Sequence, residues 1–178
     1  MATRKTRKAP ARKAPIRKLS TQKPISPCLW FDGKAEEAMN FYASVFKNSK
    51  ISRVMRYGEV GPGAKGSVLS VTAVLDGEEF MALNGGPQFA FSPATSFFVA
   101  CATQAEIDAY WEKLGAGGEY QRCGWLKDRY GVSWQIVPTI LGDLLQDKDA
   151  TRSKRVMEAM LQMQKLDIAG LKRAYEQR

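Results

Sequence analysis

The sequence predicts an α+β domain in which two successive βαβββ modules form a cupped mixed sheet, followed by C-terminal helices. Three observations carry this. A strand, a one-faced helix and three further strands occur in that order twice, over roughly 25–83 and 94–137. The two helices share their apolar spacing: a shift of about 69 positions lays Ala38 on Ile107, Phe41 on Tyr110, Tyr42 on Trp111 and Val45 on Leu114. The stretch 123–138 alternates aromatic and aliphatic residues with polar ones on both sides of a turn at Asp128 to Gly131, as a half-buried hairpin requires. Internal duplication at this scale constrains the fold more tightly than any single motif.

Residues 25–31 alternate as a strand, and Asp32-Gly33 turns the chain. Residues 34–47 read as a helix with Ala38, Phe41, Tyr42, Val45 and Phe46 on one face and Glu36, Glu37 and Asn40 elsewhere. Asn48-Ser49 ends it, and 51–57 is the second strand. Gly61, Pro62, Gly63 and Gly66 make 59–66 a loop. These glycines do not link a strand to a helix, so no phosphate loop is read there. Strands 67–75 and 78–83 are joined at Asp76-Gly77, a strong hairpin signal. Asn84-Gly85-Gly86-Pro87 breaks the sheet, and Phe89 and Phe91 follow in a loop.

The second module opens with a strand over 94–101. Its helix, 103–114, starts with Thr103 as N-cap and Glu106 three positions on, a capping box. Gly115, Gly117 and Gly118 end it, and strands follow at 119–122, 124–127 and 132–137. Beyond Pro138, helices are expected over 139–146, 151–165 and 167–176. Met157, Met160 and Met163 give the middle one a soft surface, suited to the chain's own sheet or a second copy.

Residues 1–24 are a separate object, with nine Lys or Arg, no Asp or Glu, and Ala-Pro twice. Such a segment buries too little apolar surface to offset its ordering entropy, so a disordered basic tail is expected. The organisation is then 1–24 tail, 25–150 paired modules and 151–178 helical extension. The chain has 27 basic and 18 acidic residues; removing the nine basics leaves 18 against 18, so the net charge of +9 belongs to the tail. A neutral body argues against a groove built for nucleic acid, whereas the tail suits non-specific nucleic-acid contact by counterion release. No apolar run approaches the about 20 residues that span a bilayer, and no secretory signal is read, so a cytoplasmic protein with no membrane contact is expected.

Histidine is absent. That removes Ser-His-Asp and Cys-His catalysis and every imidazole metal site. The cysteines, Cys28, Cys101 and Cys123, are odd in number and widely spaced, which excludes a disulfide framework or a structural zinc site; lying in predicted strands, they are expected as buried thiols.

Several segments resemble the vicinal oxygen chelate superfamily of glyoxalases, bleomycin-resistance proteins and dioxygenases. They are similar in particular to its PhnB-like branch, which carries the name "3-demethylubiquinone-9 3-methyltransferase domain". They include Leu29-Trp30-Phe31-Asp32-Gly33, Ala35-Glu36-Glu37-Ala38 and Phe80-Met81-Ala82-Leu83-Asn84-Gly85-Gly86-Pro87. Others are Phe41-Tyr42, Asn48-Ser49-Lys50, Arg56-Tyr57-Gly58, Ser96-Phe97-Phe98-Val99, Cys123-Gly124-Trp125-Leu126-Lys127-Asp128, Val132-Ser133-Trp134-Gln135-Ile136-Val137-Pro138, and Arg155-Val156-Met157 with Ala159-Met160 in a C-terminal helix. The resemblance implies a ligand-binding cup and a homodimer. In its metal-dependent members the ligands come from the first and last strands of each module, which here places Ile25, a residue of 81–83, Ser96 and Gln135 in those positions. Where such members show a histidine after Gly-Gly-Pro, this chain has Gln88. That donor set is too poor for a tight divalent site.

The expectation is therefore a protein that binds a small, largely apolar metabolite in a sheet-lined cup, without a catalytic metal or other cofactor. The residues expected to line the cup are Trp30, Tyr57, Asn84, Gln88, Phe89, Phe91, Ser96, Trp125, Trp134 and Gln135, with Gln135 pointing inward. If a reaction is catalysed, Cys101, Cys123, Asp32 or Asp128 must supply the ionisable group; a structural role is the stronger expectation for each, the aspartates in turns and the cysteines in strands. A methyltransferase or lyase-type enzyme, as the family name implies, is the alternative, although no glycine-rich turn between strand and helix is present to hold a nucleotide-like methyl donor. A further alternative is a non-catalytic sequestering protein, or one that associates with polyanions through its tail.

Overall fold

The computed structural model describes residues 25–177; the basic tail lies outside them. The first module runs β1 (Cys28–Phe31), α1 (Ala35–Val45), β2 (Lys50–Arg56), β3 (Val68–Leu75) and β4 (Glu78–Asn84). The second runs β5 (Ser96–Cys101), α2 (Gln104–Gly115), β6 (Glu119–Tyr120), β7 (Trp125–Lys127) and β8 (Ser133–Pro138). Three helices follow: α3 (Leu141–Leu145), α4 (Ala150–Gln162) and α5 (Ile168–Glu176). Each module makes its own four-stranded sheet, ordered β1-β4-β3-β2 and β5-β8-β7-β6. The first strand lies parallel to the last in both, and the remaining pairs are antiparallel. The sheets are therefore mixed, and β1 and β5 are edge strands.

Local chemistry explains these elements. Asp76 and Gly77 both take positive φ, which the tight turn between β3 and β4 needs. Thr103 and Glu106 form a complete capping box on α2. Lys34 stands at the N-cap of α1 and makes no capping bond to the helix's free N–H groups with its side chain. The missing acceptor comes from β4 instead, where Asn84 Oδ1 accepts from the Ala35 N–H at 2.9 Å.

One buried cluster spans both modules, from Leu29 and Phe31 through Tyr42 and Val71 to Trp134 and Ile136. Each helix covers one face of its own sheet, with Ala38, Met39 and Tyr42 of α1 and Ile107 and Leu114 of α2 fully buried. Burying an aliphatic side chain the size of Met39, Ile107 or Leu114 contributes about 1.5–3 kcal/mol. A second cluster joins Val137 of β8 to Leu141, Val156 and Leu171 of the C-terminal helices and to Leu166 between α4 and α5. Met160 and Met163 pack against it, so two of the three methionines serve the chain's own core.

The extension is also tied by backbone. The N–H groups of Cys123 and Gly124 donate to the carbonyls of Met163 and Gln164, at 2.8 and 2.7 Å. At the other end Gln104 donates to the Leu166 carbonyl and accepts from the Ile168 N–H.

The cysteine expectation is corrected. Only Cys101 is fully buried; Cys28 is exposed on β1 and Cys123 is half-buried. The alternation of a strand turns Cys28 away from the helix. Cys123 falls in the left-handed turn before β7, at φ 58°, and not within the strand. The strand expected at 119–122 is likewise shorter, ending at Tyr120.

Candidate functional site

In both modules the strand side chains that face α1 or α2 are buried and their neighbours in sequence lie on the opposite face; on β8 that face is half-buried at Gln135, while Val137 two residues on is covered by the C-terminal helices. That alternation sorts the residues expected to line the cup into separate groups.

The first group gathers on β1 and the loop after β4. Trp30 Nε1 donates to the Gly86 carbonyl at 2.8 Å, and Phe89 meets the Trp30 ring edge-on at 5.0 Å between centroids. A Cβ on Gly85 would stand 2.1 Å from the indole, so only glycine lets the backbone pass there. Gln88 folds back over Gly86. Phe91, by contrast, turns toward the core and packs on Phe31 at 5.2 Å.

A second group lies on the face of the second sheet opposite α2, beside the part that the C-terminal helices cover. Gln135 Nε2 donates to Ser96 Oγ at 2.9 Å. Trp125 stands opposite Gln135 in the β7–β8 ladder, and Phe98 stands opposite it in the β5–β8 ladder. Phe98 is 62% exposed, a large apolar group left open beside an amide.

Trp134 is not on that face. It is adjacent to Gln135 in the strand, so it points the other way, and it is buried against Tyr42, Phe46 and Phe97. Its indole N–H donates to Asp128 Oδ2 at 2.8 Å. Tyr57 and Asn84 form a third group, lining a cavity of about 400 Å³ with Asp32 and Glu36 at one end of the first sheet. Asn84 is already engaged there: besides capping α1 it donates to the Val68 carbonyl at 3.1 Å.

The ionisable candidates divide in the same way. Asp128 is buried and accepts four hydrogen bonds, from Tyr42 Oη, Trp134 Nε1 and the N–H groups of Tyr130 and Val132. A carboxylate so occupied positions the turn and has no geometry for proton transfer to a ligand. Burial pushes the Tyr42 phenol far above its ordinary range, with the Asp128 charge adding to it. Burial also pushes the Cys101 thiol up to about 11, which keeps it protonated and a weak nucleophile. The Cys123 thiol donates to the Met160 carbonyl at 3.7 Å.

The superfamily's metal can be tested against these donors. Ile25 precedes β1 and is 85% exposed. By ladder position the counterpart of Ser96 is Cys28, and that of Gln135 is Leu83. The face thus offers a thiol, a hydroxyl and an amide, with the last two bonded to each other. Among the described residues no group of three or more His, Cys, Asp or Glu is placed to hold a metal ion, and no buried side-chain nitrogen or oxygen lacks a hydrogen-bond partner. These residues do not fit a divalent cation.

Two βαβββ modules with mixed sheets of this order give the architecture that the resemblance to the vicinal oxygen chelate superfamily implies. Within that class the chain belongs to the 3-demethylubiquinone-9 3-methyltransferase family, whose model matches residues 23–137. The PhnB protein of Bacillus cereus, which carries the 3-demethylubiquinone-9 3-methyltransferase name, is 43% identical. The match covers 66% of this chain and all of that one, with a TM-score of 0.61. A protein of Pseudomonas aeruginosa shares the fold at 22% identity and TM-score 0.55, over 64% of this chain and 96% of its own. No curated protein matches the chain significantly.

Proposed function

We propose that this protein binds a small, largely apolar metabolite on the sheet faces opposite α1 and α2, oriented by the Gln135 amide, and needs no catalytic metal to do so. The observation that carries the reading is the Gln135–Ser96 pair set between Trp125 and the exposed Phe98. Small-molecule sites combine apolar walls with a few placed polar groups in this way. The Trp30–Phe89 pair offers the same chemistry on the first sheet. The open edges of β1 and β5 support a homodimer, as the family implies. The basic composition of 1–24 supports a non-specific contact with nucleic acid, which salt and removal of the tail would abolish.

The test is a tryptophan-fluorescence titration of the full chain against a panel of neutral and carboxylated aromatic and aliphatic metabolites. Binding of a panel member that weakens at least 10-fold in both Gln135→Leu and Phe98→Ala supports the reading. Affinity unchanged in both variants overturns it. Stoichiometric divalent metal in the purified protein overturns the metal-free part.

A further inference from the structure

Gln135 and Ser96 use only part of their hydrogen-bonding capacity on each other. A glutamine amide carries an acceptor oxygen and two N–H donors, and a serine hydroxyl carries one donor and two lone pairs. The 2.9 Å bond from Gln135 Nε2 to Ser96 Oγ takes one N–H. Among the described residues neither side chain makes a further hydrogen bond. Gln135 Oε1 and the second N–H therefore stay open, side by side in the plane of one amide. Turning the amide over, so that the Ser96 O–H donates to Oε1, leaves the same complement of an acceptor lone pair beside free N–H groups.

The surroundings of the pair carry no unpaired charge. Gln135 stands between Phe98 and Trp125 in its row across the sheet. In the next row Lys127 stands opposite Ser133, and its ammonium is held by Glu119 at 2.6 Å. Both rows are thus neutral.

We propose that the ligand of this face is an uncharged flat heterocycle whose edge carries an N–H beside a carbonyl or ring-nitrogen acceptor, as in a lactam, imide or amino-azine. This rests on the metabolite reading above and names the ligand class for it. The Gln135 amide meets such an edge with two parallel bonds, its N–H donating to the ligand acceptor and its Oε1 accepting from the ligand N–H. Asn and Gln read the edge of adenine by the same geometry. A carboxylate brings two acceptors against Oε1 and loses its hydration with no cation to receive it. An amidinium brings only donors and meets the Gln135 N–H with another. Trp125 and the exposed Phe98 supply aromatic contact area for the ring. The site is compatible with a homodimer at the β5 edge. A copy pairing there uses backbone groups lying in the plane of the sheet, whereas Gln135 and Trp125 project from its face on the inner strands β8 and β7.

Calorimetric titration of the full chain with the lactam quinolin-2-one, its N-methyl derivative and the two-donor naphthalene-2-carboxamidine tests the assignment. The variants are Gln135→Glu, which exchanges the donor for a second acceptor, and Gln135→Leu. Submillimolar binding of the lactam is expected, with the N-methyl derivative about 10-fold weaker and the lactam at least 5-fold tighter than the amidinium. Gln135→Glu should reverse the order of lactam and amidinium. The N-methyl comparison needs no variant, so it decides even where a substitution disturbs folding. Equal affinity for the lactam and its N-methyl derivative, with both lost in Gln135→Leu, overturns this inference and leaves the metabolite reading standing. An amidinium preference in the unsubstituted chain, or an order unchanged in Gln135→Glu, overturns it too. So does absence of binding by all three at several millimolar, while the Gln135→Leu and Phe98→Ala responses to the metabolite panel decide the broader reading separately.

Discussion

The Tyr42 hydroxyl donates a 2.8 Å hydrogen bond to Asp128 Oδ2 across 86 positions of sequence, fastening the first module's helix to the last hairpin of the second. Trp134 Nε1 donates to the same oxygen at the same distance, while Asp128 Oδ1 takes the two backbone donors of its own turn. Arg129, next in the chain, lays its guanidinium 4.1 Å from the centre of the Phe41 ring. The modules are thus joined by a buried polar cluster as well as by apolar packing.

Removing one partner should be costly in proportion to what is left unpaired. Asp128→Asn keeps the shape but replaces an acceptor by a donor facing the donors of Tyr42 or Trp134, with an expected loss of about 2–4 kcal/mol. Tyr42→Phe should lose about 1–2 kcal/mol. A double-mutant cycle by urea unfolding should give a coupling of about 0.5–3 kcal/mol. Strict additivity would mean that the bond contributes nothing to module docking.

Two glycines with similar backbone angles should respond differently to alanine. Gly124, at φ 79°, would place a Cβ 2.6 Å from the Ile136 carbonyl oxygen and 3.1 Å from Leu166 Cδ1. Gly66, at φ 83°, has open space around it. Gly66→Ala should cost about 1 kcal/mol, from conformational strain alone, whereas Gly124→Ala should cost at least about 3 kcal/mol. Equal melting temperatures for the two variants would refute the crowding at Gly124.

Acid should weaken the fold through the carboxylates that accept hydrogen bonds. Glu106 titrates below its ordinary value because it accepts from the Ala102 N–H first and from Thr103 next, with Lys47 nearby. Asp147 is lowered by Tyr175 and the Asp149 N–H, and Glu119 by Lys127. A depressed folded-state value means the contribution is complete above the unfolded carboxylate range and disappears as pH falls through the folded value. Stability should therefore fall on acidification through and below the ordinary carboxylate range. Glu106→Gln should flatten that dependence in pH-resolved unfolding, and an unaltered slope would rule out the capping carboxylate as a contributor.

Gln104 should matter more than a surface glutamine usually does. Its amide bonds both the Leu166 carbonyl and the Ile168 N–H, at 3.1 and 2.9 Å. In Gln104→Ala, amide exchange in α5 should quicken at least several-fold while that of β3 and β4 stays unchanged. Uniform change, or none, would show that this tether is not local to the extension.

Local chemistry was legible in the sequence, and long-range partnership was not. The Asp76-Gly77 turn, the Thr103–Glu106 capping box and the helical spacing shared by Tyr42 and Trp111 depend on residues a few positions apart. Asn84 read as a ligand contact because nothing within a few residues reveals that it caps a helix 49 positions away. Trp134 and Gln135 were grouped by proximity in the chain, although strand geometry separates neighbours onto opposite faces. Asp128 read as a turn residue, and it is one; its burial comes from Tyr42 of the other module, which no local window contains. The bond between Gln135 and Ser96 is equally invisible in one dimension, since the two lie 39 positions apart.

The hairpin that carries Trp125 is held at its start by residues that the family model does not include. The matched region ends at residue 137, yet the amides of Cys123 and Gly124 find their acceptors at Met163 and Gln164. Transplanting that hairpin into a relative that lacks an equivalent appendage would therefore strand two amide donors and uncover Leu166. The appendage acts as a brace on the scaffold that the family model matches. Sequence changes in α4 and α5 could thus retune the angle of Trp125 without touching a residue of the common fold.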